Sequence, residues 1–77
     1  MQTEATSTLD ARGLNCPLPI LRTRKALTGL SSGDTLKIIA TDPGSVNDID
    51  SFCKQTGHSL IASNDEQSEF TFVIQKS

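Results

Sequence analysis

The chain contains no tryptophan and no tyrosine, and three phenylalanines are its whole aromatic complement. That leaves little material for the stacked-base platforms of single-strand nucleic-acid binders. A net charge of -2 has the wrong sign for phosphate neutralisation along a duplex. Cysteine is scarce too: Cys16 and Cys53 lie too far apart for a disulfide framework, and with His58 as the only histidine they cannot complete a structural zinc site. No apolar run approaches the roughly 18 residues of a membrane span. Met1-Gln2-Thr3-Glu4 lacks the basic-then-apolar pattern of a secretory signal, so the expected compartment is the cytoplasm and the expected state of both thiols is reduced. Gly-rich phosphate loops, paired catalytic carboxylates, a Ser-His-Asp set and metal-ligand clusters are all missing, so neither cofactor nor metal is expected. Finally, 77 residues leave no room for a Rossmann unit or a barrel. The expectation is a single domain over residues 1–77, with chemistry on one or two surface residues and the polar stretch 1–6 frayed.

What is present reads as alternating strands and helices. Residues 7–11, centred on Leu9, suit a short strand, and residues 12–15 a turn. From 17 to about 28, Ile20, Thr23, Leu27 and Leu30 recur at helical spacing, with Leu21 and Ala26 widening the stripe and Gly29 or Gly33 as the stop. Leu36, Ile38, Ile39 and Ala40 make a β-branched run within 34–41. A second helix starts at Ser45, which with Asp48 has the spacing of a capping box. Val46, Ile49 and Cys53 share a face with Phe52 beside them, and Gly57 ends the helix. The last segment reads as a hairpin: a strand over 59–63, a turn over 64–67, then Phe70, Phe72 and Ile74 in alternation. The predicted fold is α+β, a two-layer α/β sandwich of order β-α-β-α-β-β. Its four-stranded mixed sheet carries both helices on one face and leaves the other face open. A right-handed crossover makes the first two strands parallel, and the last two pair antiparallel.

The most informative stretch is Leu14-Asn15-Cys16-Pro17-Leu18-Pro19. Pro17 disfavours helical backbone at Cys16 while its own φ is set for the first helical position. Pro19 also falls in the first turn, where a missing N–H costs nothing. Cys16 is therefore predicted at or beside the N-cap, where free N–H groups and the helix dipole stabilise a thiolate or persulfide anion. The stretch from Ala11 to Gly33 contains no acidic residue, yet Arg12, Arg22, Arg24 and Lys25 supply four of the seven basic ones. Arg12 is close enough in sequence to act on the thiol. The other three are placed to steer an acidic partner.

Other candidates read more simply. Cys53 sits on an apolar helix face and packs there, His58 is a turn or surface residue, and residues 42–45 show ordinary turn and cap chemistry. With Leu18 and Pro19 at the positions where a Cys-x-x-Cys motif needs its second thiol, dithiol cycling within the motif is excluded.

Leu9-Asp10-Ala11-Arg12-Gly13-Leu14-Asn15-Cys16-Pro17-Leu18-Pro19 resembles the Cys-Pro-x-Pro motif of the TusA/SirA-like sulfur-carrier family. Gly33-Asp34, the apolar strand after it and Asp42-Pro43 are similar to the same family. The resemblance implies that Cys16 carries sulfane sulfur as a persulfide; the residues themselves set Asn15, Pro17, Leu18, Pro19 and Arg12 as the expected support of that site and Arg22, Arg24 and Lys25 as the expected docking cations. It further implies a cysteine desulfurase or rhodanese as donor and a downstream relay protein as acceptor. The end uses it implies are tRNA thiolation, molybdenum-cofactor synthesis or cytoplasmic sulfur oxidation. A carrier of this kind is expected to be a monomer that binds neither membrane nor nucleic acid directly. Two other readings stay open from the residues alone: a regulatory module in which Cys16 is structural, and a thiol redox protein that depends on Cys53.

Overall fold

A computed structural model describes residues 6–15 and 17–77; residues 1–5 and Cys16 lie outside the described residues. The elements are β1 (Ser7–Ala11), α1 (Leu18–Thr28), β2 (Thr35–Ala40), α2 (Ser45–Thr56), β3 (Ser59–Glu66) and β4 (Glu69–Gln75), in the predicted order β-α-β-α-β-β. They build one four-stranded mixed sheet, β1-β2-β4-β3. β1 runs parallel to β2 from Ser7↔Leu36 to Ala11↔Ala40, the pairing that a helical connection permits. β4 lies between β2 and β3 and is antiparallel to both.

The sheet's period of two selects its buried face. Leu36, Ile38 and Ala40 of β2 alternate with Lys37 and Ile39, and they face Ile74, Phe72 and Phe70 of β4 across the ladder. Ala11 from β1, Leu27 from α1, and Ile49, Phe52 and Cys53 from α2 close over the same side. Leu36, Ile38, Ile49, Phe72 and Ile74 are fully buried, each side chain contributing roughly 1.5–3 kcal/mol of burial. This places the helices over one sheet face, as expected.

Several local expectations are corrected. α1 begins at Leu18, so Pro17 is the N-cap and not the first helical residue. Gly29, one of the two expected stops, does end it, but at φ -88; the left-handed glycine after it is Gly33. Leu21, expected to widen the buried stripe, is 52% exposed, because Pro19, Thr23 and Leu27 are the α1 residues that face the sheet. Buried Thr23 satisfies its hydroxyl by donating to the Pro19 carbonyl at 2.7 Å. The Ser45/Asp48 capping box does not form. Gly44 is the cap, and Ser45 is itself buried, its backbone N–H and its hydroxyl both donating to the Asp42 carbonyl at 2.9 and 2.6 Å. That rotation puts Ser45, Ile49, Phe52 and Cys53 on the core side and leaves Val46 at the surface.

The hairpin also differs. β3 continues through Asn64, Asp65 and Glu66, and the chain reverses at Gln67-Ser68, both at positive φ (52 and 67), the geometry of a two-residue type I′ connection. β3 is an edge strand with an exposed surface, so its polar residues mark the sheet's rim and not a turn. A register shift between Leu60 and Ala62 sets Ile61 outward. Of the stretch expected to fray, Thr6 alone is described, and it exchanges two 3.1 Å backbone-to-hydroxyl bonds with Thr35. Among the described residues no helix is long and apolar enough to cross a membrane.

Candidate functional site

Two loops leave the sheet at the same end, because β1 and β2 are parallel neighbours. The first, residues 12–15, leads directly into Cys16; the second joins β2 to α2. The first loop is held residue by residue. Asp10 accepts from the Arg12 backbone N–H at 3.1 Å and from its guanidinium at 2.9 and 3.0 Å. Gly13, at φ +81 where a side chain would be strained, donates its N–H to Thr41 Oγ1 at 2.9 Å. Leu14 N–H donates to the Ala11 carbonyl at 3.2 Å, and Leu18 N–H to the Asn15 carbonyl at 2.8 Å. The chain on both sides of Cys16 is thus fixed by hydrogen bonds to its surroundings.

Past Cys16, Pro17 is exposed and its carbonyl accepts from Leu21 N–H at 3.1 Å. Leu18 is exposed and Pro19 is buried against the sheet, so the second proline anchors the start of α1 to the core. The first turn has no acidic residue and no side-chain cap. Its positive dipole end is therefore left uncompensated by any carboxylate in that turn, which suits an incoming anion. Cys16 itself lies outside the described residues.

Beside this helix start, Pro17, Ile20 and Arg24 from the α1 side and Asp48, Ser51, Phe52 and Gln55 from α2 line a groove of about 210 Å³. Arg24 lies over the Phe52 ring, its guanidinium carbon 5.5 Å from the centroid, a cation–π contact that joins the two helices. Arg22 and Lys25 are exposed on α1 outside that groove. The predicted docking cations therefore divide into one groove residue and two at the open surface.

Among the described residues Arg12 meets two carboxylates. Its guanidinium pairs with Asp10 at 2.9 Å and reaches Glu69 at 3.7 Å. The hydrogen bonds from Arg12 hold the Asp10 carboxyl down at about 2. Cys53 is buried on α2, where burial pushes its thiol pKa up and nearby Asp50 adds to the effect, so it stays a neutral packing group. His58 accepts from the Ser77 backbone N–H at 3.1 Å through Nδ1 and packs 5.8 Å from Phe52. Among the described residues, no group of three or more His, Cys, Asp or Glu could hold a metal ion.

Thr41, Glu69 and Phe52 escape a reading of the sequence as site residues. Thr41 and Glu69 come from segments 28 or more residues from the loop they contact, so no local spacing signals them. Phe52 is legible only as a core residue. Its neighbour Arg24 approaches across the helix pair.

The profile of the family Sulfurtransferase TusA matches residues 7–76. The sulfur carrier protein TusA of Allochromatium vinosum is 61% identical over 69 residues, covering 90% of this chain and 91% of that protein. A putative sulfur carrier protein of Neisseria meningitidis is 50% identical over 68 residues, covering 88% of this chain and 92% of its own. The crystal structure of a SirA-like protein from Desulfitobacterium hafniense superposes with a TM-score of 0.81 over 91% of this chain and 96% of that one. At 22% identity it speaks to the fold alone.

Proposed function

The chain belongs to the Sulfurtransferase TusA family, and on that premise we propose that it is a sulfur carrier whose Cys16 holds sulfane sulfur as a persulfide between a donor and an acceptor protein. The observation that carries this reading is the acid-free, proline-bounded start of α1 immediately after Cys16. There the helix dipole favours the anionic forms that both half-reactions require. In the first, Cys16 thiolate attacks the outer sulfur of the donor's persulfide. One S–S bond forms, the donor's S–S bond breaks, and the donor cysteine leaves as thiolate. In the second, an acceptor thiolate attacks the outer sulfur on Cys16 and frees the Cys16 thiolate. No net oxidation occurs in either step.

Asn15, Pro17, Leu18 and Pro19 support this site by fixing where the helix begins, and Arg12 contributes through the turn that it and Asp10 hold. Arg22, Arg24 and Lys25 form the docking surface, with Arg24 at the groove where a partner's segment meets both helices. The donor is a cysteine desulfurase or a rhodanese, and the acceptor a downstream relay protein. One thiol suffices for the relay, so the chain works as a monomer, in the cytoplasm where thiols are kept reduced.

The test is intact mass under non-reducing conditions after incubation with a cysteine desulfurase plus cysteine, or a rhodanese plus thiosulfate. The expected result is a gain of one sulfur atom that reducing agent removes and that Cys16→Ala abolishes. Labelling that survives Cys16→Ala, or that vanishes in a folded Cys53→Ala variant, rejects the assignment.

A further inference from the structure

Among the described residues, the loop that delivers the chain to Cys16 is tied to a second loop by a side chain that the carrier chemistry does not itself use. Gly13 stands at φ +81 in a turn where, among the described residues, the hydrogen bonds Arg12 to Asp10 and Leu14 to Ala11 are local, while the Arg12 side chain also reaches Glu69 of β4 at 3.7 Å. Thr41 is different. Its Oγ1 accepts the Gly13 N–H at 2.9 Å from 28 residues away, and Thr41 is the residue directly after β2, at the mouth of the β2–α2 connection. The carboxyl ends of parallel neighbouring strands are where α/β sheets assemble their sites, because successive loops emerge there side by side. A glycine has the widest backbone freedom of any residue, so a donor on it orients a loop only while its acceptor is in place. Half-buried Thr41 directly follows Ala40, which is paired with Ala11 of β1 on one side and Phe70 of β4 on the other, and this holds the acceptor in place.

We infer that Thr41 is a positioning residue for Cys16: by accepting the Gly13 N–H it holds the loop in the orientation from which the start of α1 stabilises the Cys16 thiolate. This inference rests on the carrier reading in that both need Cys16 to react as an anion. The β-branched methyl of Thr41 is not required for the effect, whereas the oxygen is. Thr41→Val keeps the shape and removes the acceptor; Thr41→Ser keeps the acceptor and removes the methyl.

The experiment follows alkylation of the folded full chain by iodoacetamide across about pH 5 to 10, with the site read by peptide mass so that Cys16 is scored apart from Cys53. Thr41→Val is expected to raise the midpoint of the Cys16 pH–rate profile by about 0.5 unit, which slows alkylation near neutral pH by roughly threefold, and Thr41→Ser to restore the wild-type profile. Coincident profiles for Thr41→Val and wild type overturn the inference, as does a Thr41→Ser profile displaced as far as that of Thr41→Val. If Thr41→Val does not fold by circular dichroism, Thr41→Ala, which asks for no added space, is measured in its place: a raised midpoint supports the inference and a coincident profile overturns it. Failure of the carrier reading looks different. Wild-type protein then gains no sulfur from either donor system, while the alkylation profiles still decide the role of Thr41.

Discussion

α1 and α2 cover the same sheet face but begin and end by different means. α2 opens on a buried serine folded back on the Asp42 carbonyl, carries Asp48 in its first turn, and closes on Gly57 at φ +83, whose N–H bonds the Cys53 carbonyl. Its termini are settled within its own neighbourhood, and its cysteine is core. α1 opens on two prolines with no acid in its first turn, and it ends at a glycine that is not left-handed. Its last turn is closed by Gly29 N–H on the Ala26 carbonyl at 3.2 Å and Leu30 N–H on the Leu27 carbonyl at 3.0 Å, and the far end of the chain adds to this, Lys76 Nζ donating to the Leu27 carbonyl and to that of Leu30 just beyond the helix at 2.8 and 2.7 Å. The cation there complements the negative end of the dipole, while the first turn supplies no carboxylate to the positive end. A helix with both ends neutralised locally supports the core. One whose first turn carries no carboxylate is available to an anion, and that is the helix Cys16 precedes.

This contrast breaks most sharply in the core. Ile49→Ala in α2 is expected to cost about 2–5 kcal/mol by urea denaturation while the alkylation rate of Cys16 in the folded protein is unchanged. A tenfold slower rate in folded protein would show that α2 shapes the thiol as well as the core. Reversing Arg22, Arg24 and Lys25 to Glu comes next. Protein-to-protein sulfur transfer at low salt should fall about tenfold, equivalent to about 1.4 kcal/mol, with alkylation by a small molecule little altered. Equal loss of both would mean that the cations tune the thiol and do not dock partners. Lys76→Met, which removes the ammonium shared by the Leu27 and Leu30 carbonyls, should cost about 1 kcal/mol in the same denaturation experiment.

The smallest effect is expected at Asp10. Its carboxyl is held at about 2, below its ordinary 3.8, so the stability it contributes is complete above the higher value and is lost as pH falls toward the lower. The pair is exposed to solvent, and the contribution is correspondingly slight. The melting temperatures of wild type and Asp10→Asn should therefore differ slightly at neutral pH and converge near pH 2. A gap that persists there would assign the difference to the turn's packing instead of the ion pair.

Much of this architecture is written locally. The alternation of Leu36, Ile38 and Ala40, and of Phe70, Phe72 and Ile74, marks strands with one buried face. The stop at Gly57 is equally direct, and the proline pair places the start of α1 within one residue. The errors fall where two faces compete. Val46 and Leu21 have core chemistry and helical spacing, yet each helix turns a different stripe to the sheet. The polar run 64–66 looks like a turn until β3 is known to be an edge, where polarity costs nothing.

By itself, the sequence determined the order of elements, the buried face of the central strands, and a cysteine set before an acid-free helix start, because each depends on spacings within a few residues. Only the tertiary structure decided that Arg12 reaches Glu69, that Arg24 lies over Phe52 in a groove beside Pro17, and that Thr41 holds Gly13. Those contacts join residues that are distant in the chain and become neighbours only once β1, β2 and β4 are in register, so no local pattern encodes them.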